Sequence, residues 1–457
     1  MGTVTETLAR WAAELEWDDL TPEAIDAAKL FLYDSLGCAL GGYQTADVKI
    51  YLEHTLDLGG NEACTLIGSG RRTSPSIAAL GNALMIRALD YNDIYWKQDP
   101  SHPSDLIPAA TGFAERDHRA GKDLITAIVL AYEIEMRLCE FAVPGIRERG
   151  WHHATLTAIA APIVAGWMLG LSWRQMQHSI GISACHQATF GAAVAGKLTM
   201  MKNTVDPLAT QGGVEAAMLA RRGYTGPEGV LDGKEGLMHC LGPEWDLGKL
   251  TDGLGDRFKI ADCGMKSYPV EALMHSPLSA TLHLVHEHGL RAEDVQEVLV
   301  ESIARAADIL SDPAKYDPQS RESADHSLPY SIAAALAEGR VTPVEFTEEK
   351  LWDERLRAQM KKVRVVANEE FERAFPARQC ARVTITLADG RKVTRQVDVP
   401  KGDPRDPMTP DEVQTKFDAL ADPVMSASRR LALKDAVFGL EREEDCARLL
   451  QLCAADR

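Results

Sequence analysis

Five short segments of the chain concentrate side chains that can move protons or hold anions. Residues 87–105 read RALDYNDIYWKQDPSHPSD and gather Asp90, Asn92, Asp93, His102 and Asp105, with Pro100 and Pro103 shaping a loop. A histidine flanked by carboxylates has its tautomer set and its basicity raised. In residues 150–155, adjacent His152 and His153 stand ahead of an alanine-rich stretch. Neighbouring histidines at a helix start cannot both face inward, so one of them can reach a cleft. Lys202, beside Met200 and Met201, precedes a small-residue helix whose first N–H groups favour anions. Lys266-Ser267-Tyr268-Pro269-Val270-Glu271 is followed by His275, and residues 324–330 carry Asp325, His326, Ser327 and Tyr330.

Each segment has an ordinary structural reading when taken alone. The first is a polar loop with capping aspartates, and the second holds a buried structural histidine. A lysine among methionines snorkels its charge past apolar neighbours. The last two are an interdomain turn and a capped helix start. Together they supply histidine acids or bases, lysine clamps and a tyrosine donor. That set suits abstraction of a proton next to a carboxylate, followed by loss of a leaving group. The enolate charge that builds can be stabilised by lysines and N–H groups.

Elements that would position these groups can be read from spacing. Thr21-Pro22-Glu23 is a helix start, Ile25, Ala28, Leu32 and Leu36 recur at helical spacing, and Gly41-Gly42 ends the run. Helices are expected over residues 76–89, 123–139, 155–171, 173–191 and 211–222, rich in small residues that allow close packing. Near Gly264 the texture changes. Residues 295–302 and 363–367 are β-rich, and 383–387 with 392–399 flank Asp389-Gly390, a hairpin signal. Helices are expected between them over 277–288, 328–338 and 348–361. The fold class is mainly α with an α+β second domain: an all-helical bundle over residues 1–262, completed by 405–457, and a smaller lid over 263–404. The lid sheet is expected to be antiparallel and covered by helices on one side.

Composition excludes other classes. Lys plus Arg is 49 against 67 Asp plus Glu, a net charge of −18, which leaves no general basic face for nucleic acid and argues against an anionic membrane as partner. Residues 154–171 are apolar, but their alanines, threonines and Pro162 read as a buried helix rather than a membrane span. Nine scattered cysteines without a CxxC read as reduced thiols of a cytoplasmic protein. Residues 191–198 (GAAVAGKL) fall one residue short of a phosphate loop: Leu198 replaces the metal-binding hydroxyl, and no strand precedes them. His283, His286 and His288 lack a further ligand and read as a solvated helix end. No HExxH, GxSxG or GxGxxG unit occurs, so no cofactor or metal is expected.

At the same five segments the sequence resembles the MmgE/PrpD family, along nearly the whole chain. Leu89-Asp90-Tyr91-Asn92-Asp93-Ile94 followed by His102-Pro103-Ser104-Asp105 matches the family's L-D-F-[DN]-D-T and H-P-S elements. His153-Ala154-Thr155, Lys202, Lys266 to Pro269, and His326, Ser327 and Tyr330 match its further motifs. The Asn form with HPSD, and the SYPVE run, look most like the 2-methylcitrate dehydratase branch. The resemblance implies a homodimer with the active site between the domains and cofactor-free chemistry on small di- or tricarboxylates. It implies a hydro-lyase, with a cis-aconitate decarboxylase or iminodisuccinate epimerase as alternatives. A catalytically silent carboxylate-binding protein is the alternative of another class.

Carried over, one of His102 and His153 is the base and the other, or Tyr330, the acid, and Asp90 orients a histidine or lysine. Lys202 and Lys266, with Asp93 and Ser327, bind substrate. Ile94 stands in place of the family threonine, so a hydroxyl is missing there, and Arg87 stands where many relatives have histidine.

Overall fold

Capping chemistry sets where the main helices begin. The structure is a computed structural model that describes every residue except Met1, Lys197, Pro243 and Arg457. Thr21 accepts from the Ala24 amide and opens the helix Pro22–Gly42. Thr409 and Glu412 cap each other reciprocally at the start of Pro410–Ala421. The fold is mainly helical with a second, α+β part.

Two hydrophobic cores organise the chain. The first takes in the helices Val4–Glu14, Pro22–Gly42, Pro75–Arg87, Gly121–Leu138 and Ala154–Met168, and is joined by Val413, Phe417, Leu433 and Leu450 from the C-terminal helices. Phe417 stacks on Tyr33 with ring centroids 4.1 Å apart, which seats the C-terminal segment on the helical part. The second core runs from Val270 to Leu387 and is joined by Trp96. It lies under a four-stranded sheet ordered Val363–Ala367, Val295–Ser302, Ala381–Leu387, Lys392–Val397. Ala381, Val383, Ile385 and Leu387 alternate with half-buried neighbours, and the helix His275–His288 lies against that hairpin.

The sheet corrects one expectation. It is mixed, because Val295–Ser302 and Val363–Ala367 pair in parallel. Parallel neighbours need a long crossover, and the helices between Ser302 and Val363 supply it. Three helix boundaries also differ. Residues 348–361 break into Glu348–Leu351 and Glu354–Met360, where Asp353 recaps the chain. The helix begun at Trp173 ends at Ala184. The following residues peel away so that Thr189 O accepts the His152 amide and Phe190 bridges Trp151. The helix expected over 211–222 starts ten residues earlier, spanning Met201–Arg221 with Pro207 inside it.

Of the phosphate-loop look-alike, residues 191–194 form one 3₁₀ turn, while Lys197 lies outside the described residues. Among the described residues no helix is long and apolar enough to cross a membrane, and residues 154–168 are a buried helix.

That helix and Met201–Arg221 set the floor of the site. A Cβ on Gly213 would lie 2.4 Å from the Ala161 Cβ, so only glycine allows the two backbones to come this close. The close packing sets His153, at the start of one helix, beside Asp206 in the second turn of the other.

Candidate active site

A three-stranded ribbon joins the first and fourth sequence segments. Asp93–Trp96 pairs with Pro100–Ser101 on one side and with Gly264–Met265 on the other, both antiparallel. His102 follows the first partner strand directly, and Lys266 follows the second. The Lys266 amide donates to Asn92 O at 3.2 Å. Residues separated by more than 160 positions are thus held beside one loop.

At the turn of that loop, Asp90 sits buried with φ +50°, a left-handed conformation that a side chain rarely adopts. Its carboxylate gathers cations. Lys266 Nζ lies 2.8 Å from Oδ1 and also donates to the Asp90 carbonyl at 3.1 Å. Arg87 Nη1 donates to Oδ1 at 3.1 Å, and Lys202 Nζ stands 3.6 Å from Oδ2. Burial alone would push this carboxyl up, but Lys202, Lys266 and Arg87 outweigh it and hold it well below the usual range. Lys266 itself is pushed down by burial, against the pull of Asp90. Lys202 Nζ also lies 3.7 Å from Asp325 Oδ2, and it makes no hydrogen bond among the described residues.

The two histidines stand next to this cluster, with ring centroids 5.7 Å apart. His102 Nδ1 lies 2.6 Å from Asp93 O. A carbonyl only accepts, so Nδ1 carries the proton and the neutral ring presents Nε2 as an acceptor. Burial, then the charges of Arg87 and Lys266, push the His102 imidazole well below its ordinary value, which keeps it neutral. His153 Nε2 lies 3.3 Å from Asp206 Oδ2. Asp206 is raised by burial but lowered further by His153, His152 and Arg87, so it is ionised. His152 is turned to structure: its Nδ1 accepts the Ala154 amide at 3.1 Å.

Asp90, Arg87, His102, His152, His153, Lys202 and Lys266 line one cavity of about 1300 Å³ between the two cores. Ile94 and Trp96 form part of its wall, and the lid side contributes Lys315 and His326. His326 Nδ1 lies 2.5 Å from Asp325 Oδ1. The arrangement offers a neutral base, a histidine backed by a carboxylate, and an ammonium group with unused donors. These are the parts needed to bind an anion and exchange a proton beside it. Two groups of ligand-type atoms, His152/His153/Asp206 and Asp90/Asp325/His326, lie close enough to hold a cation. Lys202, Lys266 and Arg87 already neutralise those carboxylates, so the donor sets fit an organic anion better than a metal ion.

The MmgE/PrpD N-terminal domain matches residues 6–248, and the MmgE/PrpD C-terminal domain matches residues 268–441. The chain belongs to the MmgE/PrpD family. Among its MmgE/PrpD relatives, a cis-aconitate decarboxylase of Aspergillus terreus is 27% identical over 477 residues, covering 98% of this chain and 95% of the relative. One from Mus musculus is 27% identical over 466 residues, covering 98% and 93%. A 2-methylcitrate dehydratase of Cupriavidus necator is 26% identical over 398 residues, covering 80% and 79%.

Of the site residues that the MmgE/PrpD resemblance implies, the structure brings five to the cavity: Asp90, His102, His153, Lys202 and Lys266. Three stand elsewhere. The Tyr330 hydroxyl donates to Glu345 O at 2.7 Å inside the lid core. Ser327 caps its own helix and donates to Lys315 O. The Asp93 carboxylate accepts the Ser104 amide and hydroxyl, at 2.9 and 2.6 Å, and so pins the loop that carries His102. Of the two duties expected for Asp90, it has the lysine one: it holds Lys266 and Lys202, together with Arg87.

Arg87, Asp206 and His326 are additional members. Arg87 and His326 lie inside the segments that drew attention, and His326 is the chemistry-bearing residue next to Ser327. Asp206 had no signal beyond its place one turn after Lys202.

Proposed function

We propose that this protein is a cofactor-independent lyase for a small di- or tricarboxylate. The observation that carries this is the pairing of a neutral His102 with a carboxylate-backed His153 beside the lysine cluster. A substrate carboxylate docks on Lys202 and Lys266. His102 Nε2 removes a proton from the adjacent carbon, and the charge delocalises onto the docked carboxylate, where the ammonium groups stabilise it. His153, whose Nε2 lies 3.3 Å from Asp206 Oδ2, serves as the acid that gives a proton to the departing hydroxide. Water and an alkene leave. The relatives named cis-aconitate decarboxylase and 2-methylcitrate dehydratase support this class of chemistry.

Decarboxylation is the second reading, favoured by two observations. Decarboxylases cover 98% of the chain, the dehydratase of Cupriavidus necator 80%. Ile94 and Trp96 also place apolar surface on the cavity wall, and an apolar wall disfavours a carboxylate relative to neutral CO₂. In that case CO₂ leaves first, and a histidine proton is delivered to the carbanion.

Product analysis by NMR in D₂O separates the readings, using 2-methylcitrate, citrate, cis-aconitate and iminodisuccinate. An alkene formed from a hydroxy acid with loss of water supports the hydro-lyase. Release of CO₂ with deuterium on the product carbon supports the decarboxylase, and deuterium exchange alone supports an epimerase. Thermal stabilisation by these acids with no turnover of any would overturn the enzyme reading in favour of a carboxylate-binding protein.

A further inference from the structure

Behind His153, a hydrogen-bonded path leaves the cavity and ends at a glutamate in the helical core. Asp206 Oδ2 faces His153, and Asp206 Oδ1 lies 3.3 Å from Thr157 Oγ1. Thr157 Oγ1 lies 2.8 Å from Glu135 Oε1, which also accepts the Ser101 hydroxyl. Glu135 is fully buried, and its Oε2 has no hydrogen-bond partner among the described residues. No cation pairs with it among the described salt bridges, whereas a buried carboxylate that serves structure alone is ordinarily paired.

Hydrogen counting gives this path a function. Thr157 has one hydroxyl hydrogen and two carboxyl oxygens competing for it. When Glu135 is ionised it draws that hydrogen, so Asp206 keeps its full charge for His153. When Glu135 is protonated, its O–H can donate to Thr157 instead. The threonine hydrogen then turns to Asp206 and weakens that carboxylate's hold on the imidazolium. Burial pushes the Glu135 carboxyl up to about 7, so both forms occur near neutral pH. The groups facing it from neighbouring elements are Asp206, Asp93, Asp105 and Cys139, with Arg87 set between Asp105 and Asp206. Burial, with the nearby carboxyls Asp206 and Asp93, favours its protonated form until solution pH rises.

We propose that Glu135 is a positioning residue for His153, setting through Thr157 and Asp206 how firmly that histidine holds its proton. The inference rests on the proton-transfer role given above to His153, but it can be tested without substrate. In Glu135→Gln a neutral amide oxygen competes less well than a carboxylate for the threonine hydrogen, which turns to Asp206, so the His153 imidazole, followed by NMR titration of labelled protein, should lose its proton at lower pH by about one unit. If turnover is found, the basic limb of kcat/KM should move down by the same amount. Thr157→Val removes the hydrogen that Asp206 and Glu135 share, so His153 should hold its proton at least as firmly as in wild type and Glu135→Gln added to it should no longer move the midpoint, while Thr157→Ser restores the hydroxyl and should restore the response to Glu135→Gln.

A His153 midpoint unchanged in Glu135→Gln, or moved just as far by Glu135→Gln when Thr157→Val is also present, would overturn the proposal, whatever happens to the melting temperature. A shifted midpoint in a protein that turns over none of the acids would uphold the path while removing the lyase reading.

Discussion

The two ends of the cavity floor are built on opposite principles. Around Asp90, one carboxylate is surrounded by Lys202, Lys266 and Arg87. Around His153, the carboxyls Asp206, Asp105 and Glu135 crowd together, with Arg87 shared by Asp206 and Asp105 and no cation paired with Glu135 among the described residues. The first end has positive charge left over for a substrate anion. The second has negative charge left over to stabilise an imidazolium. Burial makes both imbalances strong, because charges without water interact more strongly. Asp105 shows the pressure at the acidic end: burial, with Asp206 and other carboxylates nearby, pushes it well above the usual range despite Arg87. A chain with net charge −18 can therefore carry a local anion site.

His102 stands between the two ends, and its loss should have the largest effect. His102→Gln removes the base while keeping a group of similar size, and kcat should fall ~10³-fold, within the range for a positioned general base. Steady-state kinetics with the melting temperature as a fold control decides it. Activity within tenfold of wild type would assign the base elsewhere and dissolve the contrast between the two ends.

Next in size is the cationic end. Lys202 makes no hydrogen bond within the described protein, so its donors are available to a ligand. Lys202→Met should raise KM ~10- to 100-fold, corresponding to a charged hydrogen bond of about 1.5–3 kcal/mol. An unchanged KM would mean that substrate docks elsewhere on the cavity wall, at Lys315 of the lid side or Arg147 of the helical part, instead.

A smaller effect concerns pH. The His102 imidazole is lowered by burial and by Arg87 and Lys266, so it stays neutral until the pH falls below its depressed value. Protonation then removes the base. The acid limb of kcat/KM should therefore lie below about pH 6.5, the ordinary histidine value. Arg87→Met lifts part of the repulsion and should move that limb upward. A wild-type limb above 6.5 would place His102 under carboxylate control and contradict the contrast.

Much of this arrangement was legible in the residues. The helix caps at Thr21 and Thr409, the Asp389-Gly390 hairpin and the strand 295–302 depend on local chemistry, and they stand where spacing put them. The five cavity residues came from motifs that concentrate polar groups in small-residue surroundings. What sequence did not reveal depends on long-range geometry. Asp206 is one acidic residue inside a helix, and only the close approach allowed at Gly213 brings it to His153. Glu135 reads as an ordinary helical glutamate until Thr157 faces it. Tyr330, Ser327 and Asp93 lie in informative segments, but a side chain's direction depends on its partner: for Tyr330 that partner is Glu345 O, 15 residues on.

Tyr330 consequently offers the weakest perturbation and the sharpest control. Tyr330→Phe removes a hydroxyl that serves the lid core, leaving the Glu345 carbonyl without its donor, and should lower stability by about 1–3 kcal/mol. Because the hydroxyl does not line the cavity, kcat/KM should stay within about twofold of wild type, a difference below ~0.5 kcal/mol. Chemical denaturation and steady-state kinetics on the same preparation report both quantities. A large loss of kcat with unchanged stability would require the lid to turn Tyr330 toward the substrate. The acid would then come from the lid rather than from His153, and the acidic end of the floor would lose its catalytic meaning.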